Sequence, residues 1–246
     1  MRALRRLLAL LVVAGLVLVG ADRVVAWRLE SGIAAGIAGP EVVSGEDAGL
    51  CDAASGCETT VEVAGFPVLT QLLAGRLTEL SVFIPGYRVD SGDAAVTIQS
   101  IHADIRGVTT SEPYVAQSLT ASGRISADTL TFAARAAGLP GTVGIDPEGI
   151  SFSGTVLGLD VAARLALSID EGGRGLVLSA DTVSIGAREV PVSDSGLAAL
   201  LTATVPLDAL PAGVVVADVT PSQGWLSATL TGTDVDLSAV APAAAP

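Results

Sequence analysis

The chain has 246 residues, half of them hydrophobic but only 3% aromatic, so its core has to be built from Val, Leu, Ile and Ala. The formal charge is −13, and every positively charged side chain is Arg. That balance excludes nucleic acid as a partner, because phosphate binding needs a basic face, and disfavours electrostatic docking on anionic lipid for the same reason.

Arg2, Arg5 and Arg6 precede an uncharged apolar run from Leu7 to Ala21. Basic residues followed by such a run read as a secretory signal or a signal anchor. The run is shorter than the roughly 20 residues a full span prefers. Small residues at Val19-Gly20-Ala21 and Val24-Val25-Ala26 suit cleavage, whereas Trp27 suits a retained helix at the membrane interface. No Cys follows the run directly, which argues against a lipoprotein anchor. The expectation is a signal peptide or membrane anchor over residues 1–26, with one domain over 27–238 outside the cytoplasm. Residues 1–26 hold four Arg and Asp22, a net +3, so the rest of the chain carries −16. Val24, Val25, Leu29, Ile33 and Ile37 predict an amphipathic helix ended by Gly39-Pro40.

Residues 41–58 read as an acidic, Gly/Ser-rich loop containing Cys51 and Cys57. An even, close pair in an exported chain reads as a disulfide, with free thiols or a metal pair as the alternative. No His lies near to complete a zinc site.

The next segment, VEVAGFPVLTQLLAGRLTEL, begins as a strand and breaks at Gly65-Phe66-Pro67. A short helix follows, opened by Pro67 and closed by Gly75, and then a strand from Leu77 to Ile84. Pro85-Gly86 reads as a turn. Residues 94–108 form a long strand whose apolar parity switches near Gln99, which calls for a bulge. Arg124–Leu130 reads as a strand and Thr131–Gly138 as a helix. Stretches at Pro147 and Pro221 each put Pro and Gly before an alternating run, Glu171–Gly175 is a looser, Gly-rich counterpart, and all three read as hairpin tips. A short helix is expected over Ser195–Ala203, and the Ala/Pro tail 239–246 reads as disordered. Strands do not alternate with long helices, so the reading is an α+β domain in which a long, curved antiparallel sheet wraps helices.

Catalytic signatures are missing. His102 is the only histidine and sits on the polar parity of its strand, and no nucleophile elbow, P-loop or dinucleotide fingerprint occurs. Asp234 and Asp236 share a face, as solvated acidic pairs commonly do. No catalytic residue, metal site or cofactor is expected, and the protein is read as a non-enzyme.

Gly65-Phe66-Pro67-x-Leu69-Thr70-Gln71, followed by Gly75-Arg76 and a strand, resembles the signature of the LmeA-like family of actinobacterial cell-envelope proteins. The resemblance extends to Asp22-Arg23 with the helix after them, and to Leu210-Pro211 and Gly224-Trp225. It implies an exported phospholipid-binding protein with a tubular lipid-binding-like fold, acting in envelope lipid or glycolipid assembly. On that likeness Leu69, Leu72 and Leu73 face acyl chains or the sheet interior. Phe66 and Phe83 share that ambiguity. Thr70 and Gln71 are candidates for a head group, and Arg76 for its phosphate. The competing reading is a membrane-anchored envelope scaffold whose apolar seam binds a protein partner.

Overall fold

The computed structural model describes residues 2–37, 42–43, 58–91, 94–136, 140–156, 158–186, 188–190, 203–207 and 210–238. Cys51, Cys57, the helix expected from Ser195 and the tail 239–246 lie outside the described residues.

Among the described residues the chain is mostly antiparallel strand with three helices. The first sheet runs β1 (Val42–Val43), β3 (Arg76–Ser91), β4 (Ala94–Thr109), β5 (Val115–Ser126), β13 (Trp225–Asp236), β12 (Val214–Ser222), and β2 (Thr60–Ala64) also pairs with β3. The second runs β10 (Arg188–Val190), β9 (Gly175–Ile185), β8 (Leu159–Ile169), β7 (Gly149–Val156), β6 (Gly141–Asp146), with β11 (Ala203–Pro206) on β9. The single long sheet read from the sequence is therefore divided in two. The chain leaves the first sheet through α3 (Ala127–Ala136), which packs on β6, and returns through β12.

The hairpin tips near 147, 171 and 221 fall at the β6–β7, β8–β9 and β12–β13 connections. Three other expectations need correction. Pro85-Gly86 is not a turn. β3 runs through it to Ser91, with Gly86 opposite Gln99, and the strand absorbs Pro85, which has no N–H to offer, beside Ser100 in the left-handed region (φ 49). That irregularity is the bulge anticipated near Gln99, where the β4–β5 register also shifts. Residues 127–130 are helical, because the Ser126 hydroxyl accepts the Thr129 N–H at 3.2 Å as an N-cap and Asp128 follows in the first turn. Val42 and Val43, expected in a loop, pair with Tyr87 and Gly86.

α1 (Arg2–Ile37) is one unbroken helix, so the apolar run and the amphipathic segment are the same element. Its Ala26, Leu29, Ile33 and Ile37 lie at helical spacing and pack on the main core, with Val61 and Val63 of β2, Leu80 and Val82 of β3 and Ile105 of β4. Each such Leu or Ile contributes about 1.5–3 kcal/mol when fully buried and less here, where the helix side is half-buried. Val24, expected on this stripe, faces outward. No helix among the described residues is long and apolar enough to cross a membrane.

Candidate functional site

The short helix α2 (Val68–Leu73) has no side-chain cap of its own, since Pro67 occupies the N-cap position. Six residues cannot sustain a helix in water, and tertiary contacts must hold it. One comes from α1. Asp22 is buried, at 2% exposure, and its Oδ1 accepts the Leu69 N–H at 2.7 Å across 47 residues of chain. A carboxylate supplied from another helix thus does the work of a cap. About two turns further along α1, Glu30 Oε1 accepts the Val63 N–H of the edge strand β2 at 3.0 Å. Val68 plugs the core at 2% exposure and Leu72 packs against the same cluster.

The turn before α2 is locked by Gln71. Its Nε2 donates to the Gly65 carbonyl at 2.9 Å and the Ala64 carbonyl at 3.3 Å, and its Oε1 accepts the Thr78 N–H at 2.7 Å. Gly65 sits at φ +92, and a Cβ there would come within 2.7 Å of Gln71 Nε2. The conformation favours glycine, and a Cβ there would displace the Gln71 amide. Thr70 Oγ1 donates to the Pro67 carbonyl at 2.8 Å. The two residues assigned to a head group from the sequence therefore already spend polar atoms on the turn and helix.

What this frame holds out to solvent is apolar. Phe66 is 58% exposed and Leu73 is 88% exposed, one at each end of α2. On α1, Val24 and Trp27 are also exposed, at 55% and 66%. Leu69 is half-buried. Arg76 is exposed at the start of β3 opposite Thr109 and forms no ion pair among the described residues. Phe83 stands apart from this group. It lies on the opposite parity of β3 from Leu80 and Val82, buried against His102 at a centroid distance of 4.7 Å. His102 is exposed, as its parity predicted.

A second apolar region was not singled out from the sequence. Ile145 of β6, Ile150 of β7 and Leu226 of β13 form a buried cluster where the two sheets meet. Around it Leu130 of α3, Leu165 and Leu167 of β8, Leu178 of β9 and Val219 of β12 are only half-buried. The alternation Val161, Ala163, Leu165, Leu167, Ile169 was visible in the sequence, but its meeting with β12 was not. The Arg174 guanidinium braces this end by donating to the carbonyls of Leu210, Pro211 and Val214. No cluster of metal-ligating side chains occurs among the described residues.

The model of a family described as LmeA-like phospholipid-binding matches residues 20–231, which includes Asp22, the α2 corner and the seam between the sheets. No curated protein and no solved structure matches the chain.

Proposed function

The chain belongs to the LmeA-like phospholipid-binding family, and from that premise we propose that it works outside the cytoplasm as a phospholipid-binding protein of the cell envelope, without enzymatic activity. Its acyl chains lie in the half-buried seam between the sheets, lined by Leu130, Leu165, Leu167, Leu178 and Val219, and the two sheets act as the wall of a tubular lipid-binding fold. The observation that carries this reading is the seam itself: leucines at a sheet junction that stay half-buried where a sealed core would enclose them. Aliphatic side chains suffice for the task. Burying a 16-carbon chain is worth on the order of 12 kcal/mol at about 0.8 per methylene, with no basic patch required. The arginine-flanked run at the start of α1 takes the protein to the membrane.

Native mass spectrometry of the purified chain tests the ligand: a carried phospholipid adds its mass, and Leu167→Glu should remove it. A chain that is lipid-free after extraction from phospholipid-rich membranes, and takes up none when offered, would refute the assignment. An alkaline phosphatase fused after residue 246 tests location, since it should be active, and an inactive fusion would reverse the topology.

A further inference from the structure

We infer that the α2 corner is a membrane-docking lip, in which Phe66 and Leu73, together with Val24 and Trp27 of α1, enter the outer edge of a phospholipid bilayer. This deepens the proposed function and rests on its assumption that the run at the start of α1 enters the membrane.

Three observations converge on a bilayer as the occupant. The first is depth. α1 continues without a break from the apolar run into the body, so the position of the run sets the height of everything attached to the helix. A run of 15 residues, Leu7–Ala21, is about 22 Å long at ~1.5 Å per residue, against a hydrocarbon core of about 30 Å. A run that short draws the residues directly after it toward the edge of the hydrocarbon, since the mismatch is met by local thinning of the bilayer. Asp22 is the residue directly after the run, and it holds α2 through the Leu69 N–H. α2 is thereby pinned at the level of the interface, not above it.

The second is the exposed chemistry at that level. Phe66, Leu73, Val24 and Trp27 are each more than half exposed, and Trp is a residue of membrane–water interfaces. The Gln71 lock and the Asp22 cap hold the backbone that carries Phe66 and Leu73, so little backbone ordering is left to be met on contact.

The third is charge. Residues 22–37, the part of α1 beyond the apolar run, hold Arg23, Arg28, Asp22 and Glu30, a net charge of zero in a chain of −13. Both acids accept backbone N–H groups of the body. Arg23 and Arg28 are exposed on either side of Trp27's turn, where long side chains reach phosphates while their stems stay in apolar surroundings. The helix that carries the lip is thus free of the net negative charge of the chain as a whole.

The test uses the full chain with Trp27→Phe, Trp225→Phe and Leu73→Trp, leaving one indole at position 73. Leu73 is 88% exposed, so the change leaves packing undisturbed. The protein is added to phosphatidylcholine vesicles carrying bromines at either the top or the methyl end of the acyl chains. The expected result is a blue shift and a loss of emission, greater with bromines near the top. A control with Trp27→Phe, Trp225→Phe and Leu159→Trp puts the single indole at an exposed position at the start of β8, away from the α2 corner and outside the seam, and it should keep its emission. An indole at 73 quenched no more than the one at 159 overturns the lip. Phe66→Trp in the same background gives an independent reading and should behave as position 73 does. Native mass spectrometry on the same proteins separates the two claims: bound lipid without quenching removes the lip and leaves the lipid-binding function, and quenching without bound lipid does the reverse.

Discussion

Asp22 is the residue on which the corner depends, and its removal has a calculable effect. In Asp22→Ala the Leu69 N–H loses a charge-assisted hydrogen bond of 2.7 Å in a site that is 2% exposed. Such bonds contribute about 1.5–3 kcal/mol, and the favourable placement of an anion at a helix start overlaps with that figure and adds at most about 1 more. The expected loss is about 2–3 kcal/mol. Asp22→Asn keeps an acceptor at Oδ1 but not the charge, and should lose about 1 kcal/mol. Urea unfolding followed by far-ultraviolet circular dichroism reads these values. With a slope of roughly 2–3 kcal/mol per M, the Ala variant's midpoint should fall by about 1 M and the Asn variant's by less than half of that. Hydrogen exchange should quicken first at Leu69 and Thr70. An unchanged midpoint for Asp22→Ala would show that the carboxylate does not hold α2. If stability were unchanged but lipid were lost, Asp22 would be a head-group ligand and not a cap.

Leu72→Glu should destabilise the protein by about 1.5–3 kcal/mol, because Leu72 packs on the main core, and thermal melts that match wild type would place it on an open surface. Gln71→Ala frees three backbone partners that water can partly satisfy, and should lower stability by about 1–2 kcal/mol; a fully stable variant that has lost lipid would return Gln71 to the head group. The Ser238 hydroxyl and N–H hold the Asp236 carboxyl below its usual 3.8, so its contribution is present above that value and is lost as pH falls through the lowered one. A carboxyl NMR titration should give a midpoint under 3.8 that rises in Ser238→Ala, and a midpoint at or above 3.8 contradicts the bond. Cys51 and Cys57 should be oxidised in exported protein, with Cys51→Ser costing roughly 2 kcal/mol, and maleimide labelling of both thiols in denatured, unreduced protein would disprove the bridge.

Local chemistry was enough to read several features directly. The break at Gly65-Phe66-Pro67, the helix ending at Gly75, the hairpin tips and the bulge near Gln99 each follow from residues within a few positions of one another. Turn geometry and strand parity are short-range properties, and the chain writes them in order. The family was legible for the same reason, because its signature sits in one contiguous stretch. What required the tertiary structure was long-range. Pro85-Gly86 looks like a turn until β4 and β1 supply the partners that keep β3 extended through it. Gln71 looks like a free polar group until Gly65 and Thr78 are seen to take its amide. Asp22 looks like an ordinary charge at the end of an apolar run, and only the fold brings the Leu69 N–H to it from 47 residues away. Likewise, helical spacing says which residues share a face of α1 but not which face is covered, so Val24 could be placed outward and Ala26 inward only once β2 and β3 were in position against the helix. Pattern in a sequence fixes periodicity; the side that a partner covers is decided by packing, which depends on residues far away in the chain.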